Sequence, residues 1–171
     1  MSFLKNPTNL LFCFAVVIFM SGFAAAQAKT EILTDDTLKK VVPVSFYFAG
    51  QSAETQARNT AAARIGENRF VIVGLVDTSG YSTEISGKYE GFFITDSPIR
   101  LGGKILNTGA YGFGFTKTNT LNIFDLSSKQ ILSVKTISDS KLKRPRPLMM
   151  TGDDKGIRLY KGKDYVSISA K

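Results

Sequence analysis

Histidine and tryptophan are absent from the 171 residues, and cysteine occurs once, at Cys13. Each absence removes a class of chemistry. Without histidine there can be no Ser-His-Asp or Cys-His catalysis, and no zinc site of the usual His/Cys kind. Without a second cysteine no disulfide can form within the chain, so its stability has to come from an apolar core. Any enzymology would rest on carboxylates, lysine, tyrosine or a hard metal ion on oxygen ligands. No cofactor and no metal site is indicated by the residues that remain.

The first 28 residues are set apart by their pattern. Lys5 precedes the unbroken apolar run Leu10–Met20, and Ser21 and Gly22 lead on to the small residues AAAQA. That is the layout of a secretory signal peptide, and the run is shorter than the roughly 20 residues a membrane helix needs. Cleavage fits after Ala26 or after Ala28, and Ala28 is the preferred site. Cys13 lies mid-run without small residues ahead of it, so no lipid attachment is expected. Removing 28 of 171 residues leaves 143, the size of one domain, with 21 basic residues against 14 acidic once Lys5 is gone. The expectation is an exported bacterial protein, periplasmic or secreted, with no membrane span after cleavage.

The remainder divides into a flexible N-terminal arm over 29–40 and a single β-domain over 41–171. Strand composition recurs at Val41–Ala49, Arg69–Val76, Tyr89–Thr95, Ile99–Leu101, Lys104–Leu106, Ile131–Ile137, Leu148–Thr151, Ile157–Tyr160 and Asp164–Ser169, separated by turn residues. The run RFVIVGLV at 69–76 is nearly all apolar and predicts a strand covered on both faces. One segment, SAETQARNTAAAR from Ser52, predicts a short helix over about 52–65. It has Ser52 as N-cap, Gly66 as stop, and Ala53, Ala57 and Ala61 on one face. The fold class is mainly β: one antiparallel sandwich or barrel of about nine or ten short strands, with that single helix.

The stretch Gly109–Leu126 carries the clearest alternation. Tyr111, Phe113 and Phe115 share one face of a strand, and Ala110, Gly112 and Gly114 share the other. A tight turn at Lys117–Asn119 joins it to the next strand. Glycine within a strand contributes no packing and marks a bend, a bulge or a close neighbour. The aromatic face therefore suits the core, and the glycine face is either covered or forms the floor of a ligand groove. On the second reading Ala110, Tyr111, Gly112, Phe113, Gly114 and Phe115 are the candidate ligand-binding residues. A second candidate is the basic connection in Ser138–Pro147, where Lys141, Lys143, Arg144 and Arg146 could meet an anionic surface and Pro145 and Pro147 keep the chain extended.

Other motifs fail on their spacing. Gly102-Gly103-Lys104 lacks the phosphate-loop spacing, and Gly109, Gly112 and Gly114 run in the wrong order for a dinucleotide fingerprint. The aromatic strand lacks the basic residue and glycine that precede the first aromatic in RNA-recognition domains, which also need two helices, so no nucleic-acid partner is expected. Glu84, Glu90, Asp96 and Asp125 lie on or near strands with no spacing that pairs two of them.

Over Leu101–Phe115, LGGKILNTGAYGFGF resembles a hairpin of uncharacterised exported bacterial β-domain proteins, in which a Gly-Lys turn leads to a Gly-x-Tyr strand. Gly103-Lys104 and Gly109-Ala110-Tyr111 match, and Asn107-Thr108 replaces a proline often found before the second glycine. The resemblance implies a β-domain and an envelope setting. The expected function is thus non-enzymatic binding of a small or extended ligand. The alternatives are an envelope module held to anionic components by its basic loop and, last, a carboxylate enzyme.

Overall fold

The computed structural model describes residues 30–66, 69–153 and 156–171. The signal segment therefore lies outside the described residues. Two antiparallel sheets face one another as an open sandwich. The larger has the order β1 (Thr30–Leu33), β3 (Gln51–Ile65), β4 (Phe70–Val76), β5 (Gly91–Thr95), β8 (Gly109–Thr116), β9 (Thr120–Phe124), β10 (Gln130–Lys135), with β2 (Ser45–Phe48) also on β3. The smaller has the order β12 (Arg146–Asp153), β13 (Gly156–Gly162), β14 (Asp164–Ala170), β6 (Ile99–Leu101), β7 (Lys104–Leu106), with β11 (Ile137–Ser138) on β14. Among the described residues no helix is long and apolar enough to cross a membrane.

The segment expected to be a helix is β3, the longest strand. Its alanine stripe explains the correction: alanine favours a helix, but three alanines bury too little to hold one against a sheet, and tertiary pairing overrides propensity. As a strand the segment is paired on both edges. Ala62–Ile65 meets β1, Gln51–Glu54 meets β2, and Thr60–Arg64 meets β4. Five steps from Thr55 to Thr60 run opposite two steps from Val76 to Gly74, which puts three extra residues on β3. An odd insertion reverses which side chains face inward. Ala53 accordingly joins a cluster on the outer face, whereas Ala61, Ala63 and Ile65 join the core between the sheets.

The arm over 29–40 is also corrected. Thr30–Leu33 is the strand β1 and Asp35–Val41 is a helix, α1. Both β1 and β2 pair with β3, so α1 is the excursion the chain makes between two segments that share one long partner. A second helix, α2 (Thr83–Ser86), is a single turn capped by the Ser82 hydroxyl.

The larger sheet is buried on both faces, as the 69–76 run predicts for its β4. Val71 and Val73 enter the inter-sheet core with Phe93, Phe113, Leu121, Leu159 and Ile168. The opposite face is covered by a second, aromatic core of Phe46, Phe48, Tyr81, Tyr89, Phe92 and Phe124. Its lid is the β2–β3 hairpin, turned at Ala49 and Gly50 with φ of 48° and 88°, together with the chain from Tyr81 to Tyr89.

Candidate functional site

The glycine face of β8 is the first place to look, and it is filled. A Cβ on Gly112 would enter the ring of Phe48, and one on Gly114 would collide with the carbonyl of Lys88. Phe48 is held there by Tyr89, stacked with ring centroids 4.0 Å apart. The cover is thus the β2 hairpin and the 81–89 chain. On the other face Phe113 is fully buried, and Tyr111 packs against the core while its hydroxyl donates to the Asn107 carbonyl at 3.0 Å. Ala110 packs beside the aromatic core. The groove reading of these five residues is therefore corrected: both faces are occupied by the protein itself.

Phe115, the sixth, is different. β5 pairs with β8 only as far as Phe113, so β8 runs on past its neighbour. Beyond that point a cleft of about 800 Å³ opens, lined by Lys88, Glu90, Phe115, Asn122, Thr136 and Lys161 among others. Its size is that of a small-molecule site. The Lys117–Asn119 turn, Gly162 at the end of β13, Asp164 at the start of β14, and Pro147 of β12 add to the walls.

Glu90 organises the cleft. One carboxylate oxygen accepts the Phe115 N–H at 2.9 Å, capping the exposed edge of β8, and the other accepts from Lys161 Nζ. Because Lys161 belongs to the smaller sheet, this ion pair bridges the two sheets. Lys161 also lies 5.6 Å from the centroid of the Phe115 ring, a cation–π placement. Thr136 donates its backbone N–H to the Asn119 carbonyl at 2.9 Å, but its hydroxyl is buried with no hydrogen-bond partner among the described residues.

The basic connection stands beside this cleft. Lys141, Lys143, Arg144 and Arg146 are exposed, and none is paired with a carboxylate among the described residues. Arg146 is opposite Gly162 in the β12–β13 ladder, and Pro147 and Gly162 both line the cleft. At its start the connection is tied down by Asp139, whose carboxylate accepts the Tyr160 hydroxyl at 3.0 Å and the Lys141 N–H at 2.9 Å.

Asp77, Asp125 and Asp139 all brace turns, and each titrates below the ordinary 3.8, through the Ser79 N–H, the Ser127 hydroxyl and the Tyr160 hydroxyl respectively. A lowered folded pKa contributes stability that is complete above the unfolded value and disappears as pH falls through the folded one. The urea midpoint should therefore drop between pH 6 and pH 3. Asp139→Asn, which has no charge to lose over that range, should drop less. An equal drop in both proteins would remove Asp139 from the acid response.

Glu90, Asn122, Thr136 and Lys161 were not singled out as site residues by sequence. Glu90 and Lys161 are 71 positions apart, and only the sheet order brings them together. A glutamate between buried Tyr89 and buried Gly91 was the one local signal. Among the described residues no three metal-ligating side chains gather. Comparisons with known proteins returned no match to a family model, a curated protein or a solved structure.

Proposed function

We propose that this chain is an exported, non-catalytic β-sandwich that binds a small ligand, or one unit of an extended one, in the cleft at the end of β8. The observation that carries this reading is the cleft of about 800 Å³ itself, in whose wall the Thr136 hydroxyl, like the Tyr89 hydroxyl and Arg64 Nε elsewhere, is buried without a hydrogen-bond partner among the described residues. Native proteins seldom leave a buried polar group unsatisfied, because doing so costs about 1–3 kcal/mol. The hydroxyl is shielded from solvent in the empty cleft, so a turn about χ1 would bring it to a ligand hydroxyl or carbonyl. Phe115 supplies the apolar wall, Asn122 both a donor and an acceptor, and the Glu90–Lys161 pair a fixed charged rim. Both oxygens of Glu90 are engaged, so it serves as a brace rather than a free acid.

The test separates stability from binding. Thr136→Val keeps the shape and removes the hydroxyl, so it should stabilise the free protein by about 1 kcal/mol in urea. It should also weaken ligand binding about tenfold, equivalent to 1.4 kcal/mol. Binding is read by titrating ¹⁵N-labelled protein with neutral and acidic disaccharides and following the amides of Glu90, Phe115, Asn122 and Lys161. A destabilised Thr136→Val would mean that the hydroxyl is already satisfied. Shifts that ignore the substitution would place binding elsewhere. Either result overturns the proposal.

The second reading, retention on an anionic component of the envelope, has its own observation in the four cations of the 141–146 connection, which have no carboxylate partner among the described residues. Arg146, opposite Gly162 and next to Pro147, sets the end of that connection against the cleft wall and joins the two readings.

A further inference from the structure

We propose that the cleft and the Lys141–Arg146 connection form one continuous site for an acidic polysaccharide, with one sugar unit against Phe115 and neighbouring acidic units on the basic connection. This rests on the cleft being a binding site. Three observations carry it further than that.

The first is continuity. Arg146 pairs with Gly162, the next residue, Pro147, is cleft wall, and Gly162 is cleft wall as well. A chain leaving the cleft on that side meets Arg146 first, with Arg144 and Lys143 two and three residues back along the same connection. These side chains are exposed, without carboxylate partners among the described residues, and no acidic residue occurs within 141–147. Asp139 and Tyr160 anchor the end of the connection away from the cleft, so the cations are presented from a segment braced at its start rather than a free tail.

The second is the composition of the cleft. Sugar hydroxyls donate and accept, so they need both kinds of partner within reach. The walls provide the Asp164 carboxylate, ammonium groups at Lys88 and Lys117, the amides of Asn119 and Asn122, and the Glu90–Lys161 pair. With Glu90 and Lys161 paired to each other, Asp164 against Lys88 and Lys117 leaves the cleft little net charge, whereas 141–147 carries four cations and no acid. An acidic glycan can seat its ring in the cleft and place its charges outside, over the connection.

The third is the aromatic count. Phe115 is the one aromatic among the residues that line the cleft. Single-stranded nucleic acid is held by a series of stacking rings along a basic groove, and a single ring does not provide that series. A bilayer surface is flat and cannot bring its charge into a cleft while also covering the connection.

The experiment compares oligogalacturonate with monomeric galacturonate, a neutral glucan oligomer of the same length, a single-stranded DNA oligonucleotide and phosphatidylglycerol vesicles. Each is titrated against the wild-type protein, Thr136→Val and the triple variant Lys143→Ala/Arg144→Ala/Arg146→Ala. All three changed side chains of the triple variant are exposed, so it should fold normally, as unfolding curves will check. Oligogalacturonate should bind the wild type at least tenfold more tightly than the monomer or the glucan. Most of that advantage should vanish at 1 M salt, where the Debye length is about 3 Å. The triple variant should lose the advantage and keep monomer binding, whereas Thr136→Val should weaken both.

If the triple variant binds oligogalacturonate as the wild type does while Thr136→Val does not, the polysaccharide track is wrong and the cleft reading stands. If Thr136→Val changes nothing and the triple variant abolishes binding, retention is by charge alone and both ideas fail. Binding of none of the glycans overturns both. DNA or vesicles that bind as tightly as oligogalacturonate overturn the track.

Discussion

Gly114→Ala should cost at least about 3 kcal/mol, above the 1–3 kcal/mol usual for an overpacked side chain, because the new methyl meets backbone. Its Cβ would lie well inside contact distance of the Lys88 carbonyl. That carbonyl has little freedom to retreat. The next residue, Tyr89, is fully buried, is stacked on Phe48, and has its N–H bonded to the Ile85 carbonyl at 2.9 Å. Against a total stability of about 5–15 kcal/mol, such a loss removes roughly a fifth to three fifths of the whole. Gly80→Ala is the control: its Cβ would meet nothing within 4 Å, and the change should stay within about 0.5 kcal/mol. Urea unfolding followed by circular dichroism decides the matter. Equal midpoints for the two variants would mean that the 81–89 chain does not lie on β8.

This contrast shows what the sequence could and could not convey. Alternation in GAYGFGF is a local property, so the strand, its aromatic core face and the choice between a covered and an open glycine face were all legible. Which neighbour was not. Phe48 comes from a hairpin more than sixty positions earlier, and no periodicity encodes a contact of that range. The run at 69–76 was legible for the same local reason: a strand covered twice has no polar face, and β4 indeed contributes to both cores. At 52–65 the local signal misled. Alanine, glutamine and glutamate favour a helix by side-chain entropy alone, while the strand is imposed by three partners, β1, β2 and β4, which lie outside the segment. The three-residue bulge also breaks the period-2 pattern that would have announced a strand.

The cleft was illegible for a further reason. Its walls come from the 87–90 segment, the β8–β9 turn, Thr136, Pro147 and the β13–β14 turn, and each contributes one or two side chains. Phe115 was found because it belongs to a conspicuous strand, and the basic connection because its charges are consecutive. Glu90 and Lys161 are ordinary residues in their own segments. They acquire a role only when the sandwich places an unmatched end of β8 across from the end of β13. Sites that arise where strands of unequal length leave an edge uncovered will generally escape motif reasoning, because the defining feature is the missing neighbour.

Phe48→Ala should cost about 3–5 kcal/mol, the range for emptying a fully buried aromatic site. The ring is held from several sides: stacked on Tyr89, and edge-on to Tyr81 and to Phe124 with centroids 6.4 Å away in both cases. Such pairs add about 0.5–1.5 kcal/mol each beyond the area buried. The sharper result concerns Gly112 beneath it. Gly112→Ala alone should destabilise, since the methyl and the ring claim the same space. Trimming the ring makes room, so in Phe48→Leu/Gly112→Ala the two losses should fall short of their sum by about 1–3 kcal/mol, as expected of residues in direct contact. Additivity within about 0.5 kcal/mol would place the ring elsewhere. Because neither residue lines the cleft, galacturonate binding by whatever fraction of these variants remains folded should equal that of the wild type. A binding loss in the folded fraction would return the glycine face to the ligand site. Unchanged binding would establish it as packing: a strand stripped of side chains on one face so that a second aromatic layer can lie directly on the sheet.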